Sequence, residues 1–181
     1  TADGIKRLHG TVAHSPFADE FDQVLVSSGR VPNVGGLNLE AARVDYDEKG
    51  VLVNDRLRTT NSHIFAAGDV CSQHKFTHAA DAQARIVIAN ALFYGTQRAS
   101  SLLIPWCTYT DPEIARVGIG ESDPQSKHYI VADLPLKGND RAVLDGQEEG
   151  MLRICHDRRG GIHGATLVAA HAGEMIGELV V

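Results

Sequence analysis

The sequence has no apolar stretch long enough to cross a membrane and no concentration of basic residues. Its longest apolar run, from Ile86 to Tyr94, is interrupted by Asn90 and is far shorter than the roughly 20 residues that a membrane-spanning helix needs. The net charge is −6, and the lysines and arginines are scattered along the chain. We therefore expect neither a membrane nor a nucleic acid as a partner. No phosphate-binding GxxxxGK[ST] motif occurs, which argues against a nucleotide phosphotransferase.

Cysteine is also scarce. Cys71, Cys107 and Cys155 lie far apart and form no CxxC pair. An odd number of cysteines, in a chain that opens without a secretion signal, indicates reduced thiols and a cytoplasmic location. His74 and His78 could share one helix face, but no cysteine or carboxylate pattern completes a tetrahedral set around them. We therefore predict no metal site and interpret these two histidines as polar residues of a loop and a helix start.

The 181 residues, 43% of them hydrophobic and 18 of them glycine, are typical of a globular chain of one large or two small domains. The chain does not begin with Met, and its last residues, "HAGEMIGELVV", read as an amphipathic helix without a glycine or asparagine cap. We interpret the chain as a piece of a longer protein.

Hydrophobic periodicity divides the first half into strands and one helix. Residues 21–29 and residues 63–70 read as short buried strands, the first of them parallel, and Lys49-Gly50 reads as the turn of a hairpin between them. From His78 the period becomes helical, with Asp81 able to pair with Arg85 and Gly95 following the last turn. The apolar positions of this helix are Ala79, Ala82, Ile86, Ala89 and Phe93.

The second half reads as strands in series. A change in composition near residues 96–101 precedes five strand candidates, and Asp145-Gly146 and Gly160-Gly161 read as turns. The five candidates are "IPWCTYT", "EIARVGI", "HYIVADLPL", "GMLRICHD" and "GIHGATLVAA". Strands followed by a helix predict an antiparallel α+β layer, distinct from the α/β first half. We place the domains at residues 1–99 and 100–181.

A carboxylate at the end of a predicted buried strand is the main candidate for a ligand site. Gly68 would let a bulky ligand approach the backbone, and Asp69 can accept hydrogen bonds from neighbouring hydroxyls of a sugar or polyol. A helix starting near Thr77 and His78 would point its free N–H groups and partial positive charge into the same crevice. The alternative is that Asp69 only caps the loop, and a single Gly-Asp pair leaves both interpretations open.

Three motifs in order carry a resemblance to a known family. "VLVSSGRVPN" at 24–33, "TTNSHIFAAGDV" at 59–70 and "YTDPEIARVG" at 109–118 resemble signatures of the FAD-dependent pyridine nucleotide–disulfide oxidoreductases. "KFTHAADAQARIVIANALFYG" and "IPWCTYTDPEI" are similar to the mercuric reductase-like branch, with dihydrolipoamide dehydrogenase as a close cousin. The resemblance implies a partial FAD- and NAD(P)-binding Rossmann-like domain, followed by an antiparallel-sheet interface domain that forms a homodimer.

The resemblance also implies roles for individual residues. Asp69 matches the carboxylate that binds the ribityl chain of the flavin, and Gly68 gives that chain room. The segment whose backbone lies beside the flavin ring matches Phe76, Thr77, His78 and Ala79. The end of the nicotinamide-nucleotide domain matches Gly29 and Arg30.

Other parts of the family pattern do not occur in this sequence. It contains no GxGxxG motif for the FAD pyrophosphate, no cysteine pair five residues apart and no HPxxxE pattern. The resemblance therefore implies no catalytic residue in this chain, although the whole protein would pass electrons from NAD(P)H through FAD to a disulfide or a thiol-bound metal. We expect the chain alone to be inactive and to bind FAD weakly or not at all. The alternative function is a self-association module that uses no cofactor.

Overall fold

The computed structural model describes residues 4–120 and 123–180. The chain separates into two compact units, Thr1–Val31 and Pro32–Val181. Within the described residues all strand pairs are antiparallel. The predicted fold class, mixed α/β with an antiparallel sheet in the C-terminal half, is confirmed.

The first unit is a β-hairpin. Strand β1, Lys6–Val12, pairs with strand β2, Ser15–Phe21. The two residues between them, Ala13 and His14, both have positive φ, at 47° and 69°. Two such residues give a tight turn whose twist matches that of the strands it joins.

The buried strand predicted at residues 21–29 is wrong. Only Phe21 belongs to a strand, and the apolar residues that follow lie in solvent, with Val24 57%, Leu25 90% and Val26 76% exposed. A run of β-branched residues becomes a strand only when a neighbouring strand accepts its hydrogen bonds and covers its side chains. Among the described residues no strand pairs with this run.

The second unit opens with turns and a short hairpin. Strand β3, Tyr46–Asp47, pairs with β4, Gly50–Val51, around a turn at residues 48–49, one residue before the turn predicted at Lys49-Gly50. Gly50 has a φ of +119°, and an added Cβ would overlap the carbonyl oxygen of Val70. Glycine at this position therefore lets the hairpin lie against the segment that follows residue 68.

The strand predicted at residues 63–70 is also wrong. The backbone N–H of Thr59 donates to Ile64, and that of Ala66 donates to Leu57, so the segment folds back on its neighbour with a single β-bridge, at Phe65. These local hydrogen bonds take up the groups that a sheet partner would use. The segment then turns into a 3₁₀ helix, Gly68–Val70.

Helix α1, Thr77–Leu92, confirms the predicted helix. Arg85 Nε lies 2.8 Å from Asp81 Oδ2, so the predicted ion pair is present. The buried positions differ from the prediction: they are Ala79, Gln83, Ile86 and Asn90, whereas Phe93 is 72% exposed. Two polar residues thus occupy the inner face of the helix because their amides hydrogen-bond backbone groups of the loops beside it.

The C-terminal half forms a five-stranded antiparallel sheet, as the sequence predicts. Its strands are β5 Trp106–Thr108, β6 Glu113–Gly118, β7 Ile130–Pro135, β8 Met151–His156 and β9 Ile162–Ala169. They lie in the order β5-β6-β9-β8-β7. The predicted turn at Gly160-Gly161 joins β8 to β9, with Gly160 at a φ of +85°.

Short helices complete the half. Helix α2, Asp140–Leu144, begins at Asn139, whose side chain accepts from the N–H groups of Arg141 and Ala142. Asp145-Gly146 therefore ends a helix and is not the hairpin turn that was predicted. The remaining helices are the 3₁₀ segments Ala99–Ser101, Pro124–His128 and Leu136–Gly138, and α3, Ala172–Met175, with its 3₁₀ continuation Ile176–Leu179.

The core of this half lies between one face of the sheet and the C-terminal helical segment. Ala172 and Ile176 are 0% and 4% exposed. They pack against buried residues of β6 and β9: Ala115, Val117, Ala165, Leu167 and Ala169. Burial of this apolar surface is the main stabilising contribution to the layer. Within the described part of the chain, no helix is both long and apolar enough to span a membrane.

Candidate functional site

The predicted site is built around the turn that begins at Gly68. Gly68 has a φ of +80°, and its N–H donates to Gln83 Oε1 on α1 over 2.7 Å. An added Cβ would lie 3.1 Å from the Cβ of Ala80, so the turn rests directly on the helix. Glycine is needed here for its left-handed backbone and for its close approach to α1.

Asp69 follows this anchored residue and is exposed to solvent. It lies in the 3₁₀ helix Gly68–Val70, whose first residue contacts Ala80 in the first turn of α1. The contacts of Gly68 with α1 therefore hold the backbone just before Asp69 in place. An exposed carboxylate on such a base is able to accept hydrogen bonds from an approaching ligand.

The amino end of α1 is the second part of the site. The residue before the helix, Phe76, makes no capping hydrogen bond with its side chain, and the first turn contains no acidic residue. The N–H groups of the first turn, from Thr77, His78 and Ala79, carry the partial positive charge of the helix. The structure thus brings a carboxylate and a positive helix end to neighbouring parts of one unit.

The side chains at this helix start are held in defined positions. The rings of Phe76 and His78 stack with centroids 5.5 Å apart and an interplanar angle of 14°. His78 Nε2 lies 2.7 Å from the carbonyl oxygen of Pro105; because that oxygen can only accept, Nε2 carries the hydrogen. Ala79 is 0% exposed. His78 therefore links the start of α1 to the residue just before β5.

A buried polar network beneath the turn was missed by the sequence analysis. Gln83 Nε2 donates to Ser72 Oγ over 3.0 Å, and this oxygen also accepts from the N–H of His74 over 3.1 Å. Gln83 and Ser72 are 8% and 7% exposed. The signal in the sequence is the spacing of Gln83 between Ala79 and Ile86, which places a polar residue on the inner stripe of the helix.

Two of the cysteines, Cys71 and Cys107, have raised thiol pKa values. Burial raises the pKa of the Cys71 thiol to about 11, although the positive charge of Lys75 acts in the opposite direction. Burial, and then the nearby carboxylate of Glu113, raise the pKa of Cys107. All three cysteines are free. Neither Cys71 nor Cys107 is ionised at neutral pH, and an un-ionised thiol is a poor nucleophile and metal ligand.

The other two predicted site residues, Gly29 and Arg30, belong to the first unit, whereas residues 68–79 belong to the second. Gly29 is exposed, has a φ of +133° and has open space where a Cβ would lie. Among residues 4–120 and 123–180, no group of three or more His, Cys, Asp or Glu side chains is arranged to hold a metal ion.

Two family models match the chain. Residues 104–181 match the dimerisation domain of the pyridine nucleotide-disulphide oxidoreductases, and residues 3–84 match the model described as pyridine nucleotide-disulphide oxidoreductase. The first of these regions contains the five-stranded sheet, and the second contains the Gly68 turn and the start of α1. Both halves of the chain therefore match the same family.

Curated relatives agree with this result. A mercuric reductase of Staphylococcus aureus is 38% identical over 161 residues, which are 87% of this chain and 29% of the relative. A dihydrolipoyl dehydrogenase of Vibrio cholerae is 32% identical over 170 residues, which are 90% of this chain and 35% of the relative. The chain spans about a third of the length of the curated relatives it matches.

Solved structures share the fold. The HOCl-induced flavoprotein disulfide reductase RclA from Escherichia coli aligns with a TM-score of 0.76 at 27% identity, covering 94% of this chain and 40% of that one. LpdA from Mycobacterium tuberculosis aligns with a TM-score of 0.78 at 29% identity, covering 94% and 38%. Its sequence motifs, its fold and these relatives show that the chain belongs to the pyridine nucleotide–disulphide oxidoreductase family.

Proposed function

We propose that this chain is part of a flavoprotein oxidoreductase that passes electrons from NAD(P)H through FAD to a disulfide or a thiol-bound metal. The observation that carries the proposal is the Gly68 turn, in which Gly68 bonds Gln83 and contacts Ala80 on α1 and is followed by the exposed Asp69. Relatives named for redox reactions, the mercuric reductases and dihydrolipoyl dehydrogenases, support the same function.

The residues fit a flavin in chemical type. Asp69 would accept hydrogen bonds from the hydroxyls of the ribityl chain, since an ionised carboxylate is a strong acceptor. The N–H groups of Thr77, His78 and Ala79 would face the electron-rich edge of the ring, with Phe76 and Gly68 lining the approach. FAD itself supplies the redox chemistry.

The rest of the chain would connect the nucleotide-binding domains and form the interface of a homodimer. Gly29 and Arg30 would end the nicotinamide-nucleotide domain, where the chain returns to the FAD domain. We propose domain limits of 1–99 and 100–181 and a homodimer formed through the second domain. The match of residues 104–181 to a dimerisation domain supports the homodimer.

The chain by itself would not catalyse the reaction. Its three cysteines, Cys71, Cys107 and Cys155, are too far apart in sequence to be the neighbouring pair that exchanges electrons with a flavin in this family. The raised pKa values of Cys71 and Cys107 also keep these thiols un-ionised at neutral pH. We therefore expect no oxidation of NAD(P)H by the purified chain, with or without added FAD.

A second candidate function is a self-association module that uses no cofactor. The dimerisation-domain match supports this function as well. The two candidates differ in what the chain does with FAD, because only the first assigns a role to Asp69 and to the start of α1.

An equilibrium titration with FAD, followed by flavin fluorescence, separates the two candidates. The flavoprotein hypothesis predicts weak, saturable binding that Asp69→Asn reduces and that Asp81→Asn leaves unchanged, since Asp81 lies on α1 and pairs with Arg85. We expect the flavin to be lost on gel filtration. A chain that elutes as a dimer and shows no saturable change in flavin fluorescence would favour the self-association module.

A further inference from the structure

Gln83 joins both ends of the turn that carries Asp69. Its Oε1 accepts the N–H of Gly68 over 2.7 Å, and its Nε2 donates to Ser72 Oγ over 3.0 Å. The N–H of Ser72 in turn donates to the carbonyl oxygen of Gly68 over 2.9 Å, which closes the turn on itself. One side chain of α1 thus bonds the first and the last residue of the 68–72 turn.

The orientation of this amide is fixed by its partners. The N–H of Gly68 can only donate, so the oxygen of Gln83 must face it and the nitrogen must face Ser72. Gln83 and Ser72 are 8% and 7% exposed, and Gly68 is buried. Because water has little access to this site, loss of the side chain would leave the N–H of Gly68 without an acceptor.

We infer that Gln83 is a positioning residue that holds the Gly68–Ser72 turn on α1 and so sets where the Asp69 carboxylate stands relative to the helix start. This inference rests on the proposed flavin-binding role of Asp69. The claim that Gln83 holds the turn on α1, however, concerns only contacts within this chain. Neither the family match nor the sequence pattern assigns Gln83 a role.

Two variants test whether Gln83 holds the Gly68–Ser72 turn on α1, a role that we call the clamp. Gln83→Met keeps the length of the side chain and removes both hydrogen bonds. Gln83→Glu retains them, because a carboxylate accepts from the N–H of Gly68 and the Ser72 hydroxyl can rotate to donate to it. Asn90→Leu is the matched control, since it removes another buried amide from the same helix, one that bonds residues 56 and 97 instead of the turn.

The readouts are amide hydrogen exchange at Gly68 and Ser72, and the rate at which iodoacetamide alkylates Cys71, assigned by mass spectrometry. Cys71 is suited to this because it lies inside the turn, half-buried, with its N–H bonded to the carbonyl oxygen of Gly68. Loss of two hydrogen bonds should raise both rates about tenfold in Gln83→Met. Gln83→Glu should remain close to the wild type.

Asn90→Leu is expected to lower the overall stability while leaving exchange at Gly68 and alkylation of Cys71 unchanged under native conditions. The inference is overturned if Gln83→Met leaves both rates at the wild-type level, or if Asn90→Leu raises them to the same extent. In the second case Gln83 would contribute only to general stability.

A titration with FAD, followed by the backbone amide signals of residues 68–79, tests the link to function separately. Gln83→Met should reduce the shifts induced at Asp69 and Gln83→Glu should preserve them. If FAD causes no shifts in the wild type, the proposed function fails while the exchange data still decide the clamp. If FAD binds and Gln83→Met binds it equally well, the clamp does not position Asp69 and the inference is wrong.

Discussion

Asn90 and Gln97 are joined by two reciprocal hydrogen bonds. Asn90 Nδ2 donates to the carbonyl oxygen of Gln97 over 2.9 Å, and the N–H of Gln97 donates to Asn90 Oδ1 over 2.9 Å. The same Nδ2 donates to the carbonyl oxygen of Arg56 over 3.1 Å. One buried amide, 4% exposed, therefore fixes the chain after α1 and a loop 34 residues earlier.

We predict that Asn90→Leu lowers the free energy of unfolding by about 2–3 kcal/mol, because the near-isosteric apolar side chain leaves three backbone groups unpaired. Urea denaturation, monitored by circular dichroism, measures this loss. Arg85→Ala is the control on the same helix: its ion pair with Asp81 is exposed, so the urea midpoint should hardly move. A similar midpoint for Asn90→Leu and the wild type would show that water replaces the amide.

Gly50 makes a second prediction possible. Its φ of +119° and the contact of a Cβ with the carbonyl oxygen of Val70 combine two costs in Gly50→Ala. We expect a loss of more than about 2 kcal/mol in the free energy of unfolding. Gly36→Ala separates the two costs, because Gly36 has a φ of +78° and open space around it; there only the backbone cost of about 1 kcal/mol should appear. Equal losses in the two variants would contradict the contact with Val70.

Ile176 tests how firmly the C-terminal helical segment is held on the sheet. It is 4% exposed and packs against the buried residues of β6 and β9. Ile176→Ala should cost about 2–4 kcal/mol through lost burial and the cavity it leaves. Met175→Ala is the control, since the neighbouring Met175 is 42% exposed and its truncation should have a small effect. Thermal and urea unfolding of both variants measures the change in the free energy of unfolding. Small and similar losses in the two variants would show that the segment is held only loosely on the sheet.

The lowered pKa of Asp157 predicts that acid weakens the β8–β9 hairpin. The hydrogen bond from His163, followed by those from the N–H groups of Gly161 and Arg159, lowers the pKa of Asp157 below its ordinary value of 3.8. A carboxyl with a lowered pKa in the folded state stabilises the protein above its unfolded pKa and loses that contribution as the pH falls through the folded pKa. The stabilisation should therefore be present at neutral pH and disappear below 3.8.

The variant that checks this is Asp157→Asn, which keeps an oxygen for the backbone N–H groups but does not titrate. The difference in melting temperature between wild type and variant, measured by differential scanning calorimetry, should be largest near neutral pH and shrink in acid. A difference that stays constant across the acid range would mean that the carboxylate charge is irrelevant to the hairpin.

The strands of the C-terminal sheet could be predicted because each partner is encoded nearby and the turns carry their own signals. Gly160-Gly161 gives the hairpin between β8 and β9, and alternating apolar residues give the face that packs on Ile176. Helix α1 was equally predictable, from its period and from Gly95 after its last turn. Local information was sufficient for these elements.

The features that the sequence did not predict correctly share one physical origin. Each depends on a structural partner that the local sequence does not specify. Val24, Leu25 and Val26 have strong strand propensity, but propensity is realised only when another strand lies alongside. Gln83 and Asn90 were not predicted to be buried because an amide on an inner helix position interrupts the apolar stripe. Which backbone groups their amides satisfy depends on where distant loops come to rest.

The position of β9 in the sheet has a consequence for assembly. This strand, Ile162–Ala169, lies at the centre of the order β5-β6-β9-β8-β7, yet it is the last of the five to be synthesised. Without β9, the sheet would be divided into two separate pairs of strands, β5–β6 and β7–β8, and an isolated pair of strands is marginally stable in water. Because β9 pairs with both β6 and β8, we expect the five-stranded sheet to form cooperatively and only after this last strand is available.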